Sequence, residues 1–276
     1  MKKTALTIAG GLGDSLVIRI FFDAVKHEYE EIRISHDRKI VDFWRKGDPK
    51  YYQFLDELGN LLFTEPPYAF DHFNHTVIHT VNTLTNLGTP PKTPNLSHLL
   101  CKGTSLNLGG EYIVLTTKIR GILKSVFTKL SPTLWEVLQK ISQRYKIVVL
   151  GEREIEKNKE YDVSVNRSSI FCIYDQIIEN IPNDRIIDLT IPALGVTVPT
   201  LKQIQQDCLI MKESKFVISI GIGGNLWMPL AVANTIGYRD DNDAVVNLIG
   251  NSQYDTAYIA KNWFQFIQKL KSLYTN

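Results

Sequence analysis

Residues 216–237, FVISIGIGGNLWMPLAVANTIG, decide the fold more than any other stretch of the chain. The apolar run at 216–220 predicts a buried strand, and apolar residues at helical spacing predict a helix over 226–236. A strand that passes through a tight turn into a helix is a building unit of α/β folds with parallel sheets.

The turn of this unit contains Gly223, Gly224 and Asn225. Small residues there leave several backbone N–H groups exposed toward one point at the N-terminus of the helix, which suits a phosphate or a pyrophosphate. Glycine-rich turns between strands and helices also occur for packing alone, and this alternative stays open.

A second unit of the same kind opens the chain. TALTIA at 4–9 predicts a buried strand, and the turn after it contains Gly11, Gly13 and Asp14. Glycines let the backbone approach a ligand closely, and the dipole of the following helix favours an anion. The dinucleotide pattern G-x-G-x-x-G is only partly met, which disfavours a nicotinamide dehydrogenase. A turn chosen only for its geometry remains an alternative.

Asp14 fits two different roles. Loops after parallel strands form the ligand crevice of an α/β fold, so its carboxylate could act as a general base on a hydroxyl nucleophile. Alternatively, the side chain caps the N-terminus of the helix that follows. One side chain serves only one of these roles well, and the sequence leaves both open.

Strands and helices alternate along the rest of the chain. Further strands are predicted at 31–35, 76–81, 112–116, 146–150, 186–189 and 245–249, and further helices at about 15–26, 37–62, 131–145, 200–213 and 255–274. The helix at 131–145 has the clearest start, with Ser131 as its N-cap and Pro132 at its first position. Alternation with near-continuous apolar strands indicates a parallel sheet covered on both faces.

Length and proline content suggest two domains. At 276 residues the chain exceeds the usual size of one compact domain. The proline-rich stretch at 87–94 and the weakly patterned segment after it place a boundary near residue 108. We therefore predict an α/β protein of two Rossmann-like domains, residues 1–108 and 109–276, that face each other across a cleft.

The composition excludes several classes of protein. A formal net charge of +2 gives neither a basic field for nucleic acid nor an acidic tail. Cys101, Cys172 and Cys208 lack the spacing of a zinc site or of a secreted disulfide framework, and His75 and His79 lie in a predicted strand, where their spacing does not make a metal pair. No apolar run reaches the roughly 20 residues of a membrane span. We expect a cytoplasmic protein with no metal, and at most peripheral membrane contact.

Polar residues follow two strands of the second predicted domain. The strand that opens this domain is followed by two hydroxyls and two cations, those of Thr116, Thr117, Lys118 and Arg120. Cations near amide donors could neutralise a diphosphate leaving group, although a solvated basic loop would have the same composition. Glu152, after the next strand, would lie at the same edge of the sheet and could accept from ribose hydroxyls. Its alternative is a surface glutamate.

The order of these motifs resembles GT-B glycosyltransferases, and most nearly the ADP-heptose–lipopolysaccharide heptosyltransferase family. In that family an N-terminal strand ends in a Gly-Asp turn, as at Gly13 and Asp14, and the aspartate is the proposed catalytic base. Its second domain opens with a strand followed by threonines and a lysine, similar to 116–118. A glutamate that contacts the donor nucleoside follows the next strand, similar to Glu152. The stretch Asp188-Leu189-Thr190, followed by a helix and then by 216–237, is similar to the closing strand, turn and helix that hold the diphosphate.

This chain departs from the family in two respects. Where the family usually has an acidic residue, then threonine or serine, then glycine in the last turn, this chain has Gly223, Gly224 and Asn225. It is also shorter than typical members, which implies trimmed loops and a different acceptor. GT-B proteins often return their last helix to the N-terminal domain, and the apolar face of 255–274 is compatible with such a return.

The resemblance implies an inverting, metal-independent glycosyltransferase without a cofactor. It would move a sugar from a nucleotide-diphosphate donor to a hydroxyl acceptor such as a glycan, with Lys118 and Arg120 supplying the charge that a metal ion supplies elsewhere. Two alternatives stay open: a non-catalytic GT-B-like protein that binds a nucleotide or a glycan, and a sugar-nucleotide epimerase of the same fold.

Overall fold

The computed structural model describes residues 4–9, 32–37, 96–154, 170–191, 201–221, 224–239, 258–260 and 262–275. The predicted strands at 76–81 and 245–249 and the predicted helices at 15–26 and 37–62 lie outside these residues. So do Gly11, Gly13, Asp14 and Gly223, and the side chains of Arg120 and Asn225.

The described residues form strands and helices in alternation. The strands are β1 (Thr4–Ala9), β2 (Ile32–Asp37), β3 (Tyr112–Thr116), β4 (Lys118–Arg120), β5 (Lys146–Leu150), β6 (Ile170–Cys172), β7 (Ile186–Asp188), β8 (Val217–Ile220), β9 (Thr235–Tyr238) and β10 (Tyr258–Ala260). The helices are α1 (Ser97–Leu100), α2 (Lys124–Arg144), α3 (Tyr174–Asn180), α4 (Leu201–Glu213), α5 (Gly224–Val232) and α6 (Trp263–Thr275). Within this part of the chain, no helix combines the length and the apolar composition that a membrane span requires.

Six strands form one parallel sheet in the order β10-β9-β8-β3-β5-β7. The chain runs outward from β3 through β5 to β7 and then returns to β8 on the other side of β3. The strand order therefore reverses between β3 and β8, as in doubly wound folds. β1 and β2 form a separate parallel pair. The predicted α/β class and parallel sheet are confirmed, and the cleft between two domains stays a prediction.

Side chains of β3 alternate between two covered faces of the sheet. Ile113 and Leu115 are fully buried in the core that includes residues of α2 and α6. The Tyr112 hydroxyl donates to the Ile210 carbonyl of α4 at 2.9 Å, which places Tyr112 on the opposite face. Because side chains of a strand alternate, Thr116 shares the α4 face with Tyr112.

The start of α2 differs from the prediction. The helix begins at Lys124, and Pro132 lies inside it instead of at its first position. Proline removes the N–H that would bond to the Thr128 carbonyl, and the Ser131 hydroxyl lies 3.4 Å from that oxygen as a substitute donor. The earlier turn buries Phe127 completely, which favours helix ahead of the proline.

The helix predicted over 226–236 ends earlier than expected. α5 stops at Val232, and residues 235–238 form strand β9. A Cβ at Gly237 would lie 2.5 Å from Ile259 Cδ1, so the glycine leaves room for this side chain of the neighbouring strand. The helical spacing of the apolar residues did not reveal this tertiary contact.

The C-terminal segment also differs from its prediction. Instead of one helix over 255–274, residues 258–260 form edge strand β10, and the helix begins at Trp263. The apolar side of α6, with Phe266 and Leu270 fully buried, packs in the core of the six-stranded sheet. The apolar side of the helix therefore packs within the second predicted domain, and a return of the helix to the N-terminal domain stays a prediction.

The segment just before the predicted domain boundary contacts the helices of this sheet. Leu96 donates its N–H to the Ala231 carbonyl at 3.1 Å, and Leu100 is fully buried. Further on, the Thr104 N–H donates to Gln206 Oε1 at 3.0 Å. Residues 96–104 thus pack with the second predicted domain, and the division at residue 108 stays a prediction.

Candidate functional site

The reversal of strand order between β3 and β8 defines the candidate site. In open parallel sheets, ligands bind outside the carboxyl ends of the strands at this position. Thr116 ends β3, Gly221 follows β8 with φ of 100°, and α5 begins at Gly224. A helix N-terminus with its unpaired N–H groups therefore lies beside the carboxyl end of β8, as predicted.

Thr116 carries a buried hydroxyl without a hydrogen-bond partner among the described residues. The residue is only 7% exposed. Burying an unsatisfied hydroxyl is unfavourable, and native proteins rarely retain one without a reason. Since Thr116 lies at the switch point, a bound anion would supply the missing hydrogen bond.

Thr117 lies at the predicted carboxyl edge of the sheet, but its hydroxyl makes a structural hydrogen bond within the protein. It is fully buried, and its Oγ1 donates to the Glu152 carbonyl at 2.7 Å. Its backbone N–H donates to the Leu150 carbonyl at 3.0 Å, and its carbonyl accepts from the Ile173 N–H at 2.9 Å. Thr117 thus joins the ends of β3, β5 and β6.

Glu152 is buried at this edge, so the surface alternative is wrong. The residue is 8% exposed, and Glu152 Oε2 lies 4.0 Å from Lys118 Nζ. Burial raises the pKa of the Glu152 carboxyl, and the charge of Lys118 partly offsets this. Lys118 and Arg120 belong to β4, which pairs antiparallel with β6, so they do not form the solvated loop considered above.

Gly151 lets Thr117 approach the turn before Glu152. Gly151 has φ of 110°, and a Cβ on it would lie 2.6 Å from Thr117 Oγ1. We expect Gly151→Ala to lower the free energy of unfolding by about 2–4 kcal/mol, from backbone strain and loss of the Thr117 hydrogen bond. Denaturant unfolding measures this change.

Gly110 provides a matched control for this prediction. Its φ is 123°, and nothing lies within 4 Å of a Cβ built on it. Gly110→Ala should therefore lower the free energy of unfolding by only about 1–2 kcal/mol, the cost of backbone strain alone. Equal losses in the two variants would contradict a specific contact between Gly151 and Thr117.

A polar cluster lies beside Glu152, and its hydrogen-bonded arrangement was not predicted. It consists of Arg153, Tyr174, Asp188 and Thr190, joined by hydrogen bonds across the ends of β5 and β7. Asp188 Oδ1 accepts from the Thr190 N–H at 2.9 Å. An aspartate followed two residues later by threonine is a local turn signal that could have revealed this part. The contacts of Arg153 depend on strand pairing, for which the sequence has no local signal.

The chain is similar to several solved protein structures. E. coli ADP-heptose lps heptosyltransferase II is 10% identical with a TM-score of 0.48, and 100% of this chain and 99% of that chain are covered. E. coli heptosyltransferase WaaC with ADP is 11% identical with a TM-score of 0.46, and 98% of this chain and 100% of that chain are covered. The glycosyl transferase family 9 protein of Veillonella parvula DSM 2008 is 10% identical with a TM-score of 0.45, and 99% of this chain and 97% of that chain are covered.

These three structures are glycosyltransferases. They include heptosyltransferases, the family that the sequence motifs resemble. No protein-family model matches the chain, and no curated protein matches it. Because the identities are near 10% and the TM-scores lie below 0.5, this likeness does not establish the reaction of the chain.

Proposed function

We propose that this protein is a glycosyltransferase that takes its sugar from a nucleotide-diphosphate donor. The observation that carries the proposal is the buried hydroxyl of Thr116 at the switch point, which has no hydrogen-bond partner in the part of the chain that the structure describes. The helix that begins at Gly224 offers backbone N–H groups at the same edge. A hydroxyl and amide groups suit a diphosphate, because its oxygens accept hydrogen bonds and its charge is favoured at a helix N-terminus.

The donor would lie along the carboxyl ends of β8, β3 and β5. Its diphosphate would contact the Thr116 hydroxyl, the N–H groups of Gly223, Gly224 and Asn225, and the cations Lys118 and Arg120. Glu152, next to Lys118, would accept from the ribose hydroxyls, and Thr117 would hold Glu152 in place. Three free cysteines fit a reducing cytoplasm, where we place the protein.

The reaction would proceed with inversion across the cleft. Asp14 would take the proton of the acceptor hydroxyl while the oxygen attacks the anomeric carbon, with the amides of Gly11 and Gly13 lining the acceptor side. The bond from that carbon to the diphosphate oxygen breaks, and the nucleoside diphosphate leaves with the bonding electrons. Lys118 and Arg120 would stabilise the charge that develops on it.

Metal independence is part of the proposal and rests on Lys118 and Arg120. The sequence also contains Asp241-Asn242-Asp243, an Asp-x-Asp spacing outside the described residues whose carboxylates could ligate a divalent cation. Transfer that continues in excess EDTA would support the charge assignment to the two side chains. If transfer stops in EDTA and returns with Mg²⁺ or Mn²⁺, a divalent cation held by Asp241 and Asp243 would neutralise the leaving diphosphate instead.

Replacing Thr116 by valine separates a ligand role from a structural one. Valine has a similar shape, so Thr116→Val should keep or raise the free energy of unfolding, by up to about 1–2 kcal/mol, because an unsatisfied hydroxyl is removed. Affinity for a nucleoside diphosphate should fall about tenfold, the effect of one hydrogen bond to a charged group. Calorimetry and denaturant unfolding measure the two effects, and Thr116→Ser should retain binding. A destabilised valine variant with unchanged affinity would contradict the proposal.

A panel of sugar nucleotides tests the reaction itself. Ligands that bind the native state raise its melting temperature, so thermal shifts identify the donor before transfer is assayed with hydroxyl acceptors. The Gly223-Gly224-Asn225 turn favours, as a second candidate, a protein that binds the nucleotide without catalysis. Donor binding without transfer or hydrolysis would support that candidate, and an altered sugar without acceptor would indicate an epimerase.

A further inference from the structure

The polar cluster beside Glu152 holds the Arg153 guanidinium in one orientation. Arg153 Nε donates to Thr190 Oγ1 at 3.0 Å, and NH2 donates to Asp188 Oδ2 at 3.0 Å. Arg153 Cζ lies 5.4 Å from the centroid of the Tyr174 ring. The Tyr174 hydroxyl in turn donates to Asp188 Oδ2 at 2.7 Å. Two hydrogen bonds and a ring contact thus fix both the position and the plane of the guanidinium.

Arg153 and Asp188 form an ion pair, so the charges within the cluster cancel. Burial raises the pKa of the Asp188 carboxyl, but hydrogen bonds from Thr190 and Tyr174 and the charge of Arg153 outweigh it and lower that pKa overall. Asp188 is therefore ionised at neutral pH and compensates the charge of Arg153. Because its charges cancel, the cluster attracts a free anion only weakly. It does hold one planar polar group, the Arg153 guanidinium, in a fixed orientation.

Part of this cluster is exposed to solvent. The Arg153 side chain is 49% exposed, although Tyr174 lies over its guanidinium. Among the described residues, no hydrogen bond engages its NH1 group. Exposed ion pairs contribute little to stability, so stability alone does not account for so ordered a cluster. A fixed, planar guanidinium with an open side is a surface on which aromatic rings and nucleic acid bases stack.

The position of Arg153 relative to Glu152 indicates which ring stacks there. The two residues are adjacent, and their Cα atoms are about 3.8 Å apart. Glu152 is the proposed ribose contact, and a nucleobase is bonded directly to its ribose. The Glu152 carboxyl faces Lys118, whereas the Arg153 guanidinium lies toward the end of β7, where it bonds to Asp188 and Thr190. In the sheet order β8-β3-β5-β7, a donor with its diphosphate at β8 and β3 and its ribose at Glu152 after β5 therefore extends its base toward Arg153.

We propose that the open side of the Arg153 guanidinium is the platform on which the nucleobase of the donor stacks. The inference rests on the proposed function, and it assigns to Arg153, Tyr174 and Asp188 the recognition of the base rather than of the diphosphate. Tyr174 and Asp188 are positioning residues, because they act through Arg153.

AMP and ribose 5-phosphate test this assignment, since they differ only in the base. We expect Arg153→Ala to weaken binding of AMP and of UMP by about tenfold, the effect of losing one stacking partner, and to leave binding of ribose 5-phosphate unchanged. Arg153→Lys should lose the same base-dependent affinity, because an ammonium group offers no planar surface. Ligand-observed NMR measures these affinities in the millimolar range as well.

Lys215→Ala is the matched control. It removes another exposed cation, paired with Glu111 at 2.9 Å beside the amino ends of β8 and β3, and it should leave all affinities unchanged. If ribose 5-phosphate weakens as much as AMP in Arg153→Ala, the residue only supports Glu152 and the platform is refuted. Unchanged AMP binding in Arg153→Ala or in Arg153→Lys also refutes it, while nucleotide binding by the wild type leaves the proposed function intact. A wild-type protein that binds no nucleotide and no sugar nucleotide overturns both.

Discussion

Replacing Asp14 by asparagine is expected to lower the rate of glycosyl transfer by about 10²–10⁴-fold, the usual contribution of a general base. Asparagine has nearly the same shape but does not accept the proton of the acceptor hydroxyl. Donor affinity should stay the same, because the proposed donor contacts belong to the second predicted domain. Steady-state turnover and calorimetric titration with the nucleoside diphosphate measure the two quantities separately.

The alternative role of Asp14 gives a different result. If the side chain only caps the helix that follows, Asp14→Asn should change neither turnover nor stability by much, because asparagine is an equally good cap. Turnover within tenfold of the wild type would therefore remove the base assignment. Asp184→Asn serves as the control, since Asp184 is exposed in the turn before β7, at the amino edge of the sheet.

Phe266→Ala is expected to lower the free energy of unfolding by about 3–5 kcal/mol, the range for truncating a buried phenylalanine. Phe266 is fully buried, and its ring lies 5.8 Å from that of Tyr238 and 5.3 Å from that of Trp263. Truncation leaves a cavity between α6 and β9 that these rings cannot fill without moving. Denaturant unfolding at equilibrium gives the change directly.

Phe264 provides the matched comparison two residues away. It is 71% exposed, so Phe264→Ala should change the free energy of unfolding by no more than about 0.5 kcal/mol. The difference between the two variants reports which face of α6 is covered. A large loss at Phe264 and a small one at Phe266 would show that the helix packs by its other side.

The bounds of strands and helices were predicted accurately where a short stretch of sequence determines them. β1, β3 and β5 have the predicted bounds, because each is a short apolar run that ends before a polar or glycine residue. α4 begins within one residue of its prediction. The start of α2 was wrong because burial of Phe127 outweighed the capping signal of Ser131 and Pro132. The pairing of β4 with β6 joins segments far apart in sequence, and neither segment has a pattern that indicates it.

The candidate site was predictable to the extent that topology determines it. Lys118 and Glu152 follow neighbouring parallel strands, and the prediction that they lie at one edge is confirmed. The burial of Thr117 and the orientation of Arg153 were not predictable, because they depend on contacts between β5, β6 and β7. The predictions for Gly11, Gly13 and Asp14 concern residues outside the described part of the chain.

The buried hydroxyl of Thr116, which no group in the described ranges pairs with, matters for engineering this protein. A selection for heat resistance alone rewards any change that removes an unsatisfied buried group, and valine at position 116 is such a change. Under the proposed function, such variants would survive higher temperatures and bind the nucleotide less tightly, the trade-off expected where a binding site keeps a group that the empty fold does not need. Selection in the presence of saturating nucleotide would retain the threonine.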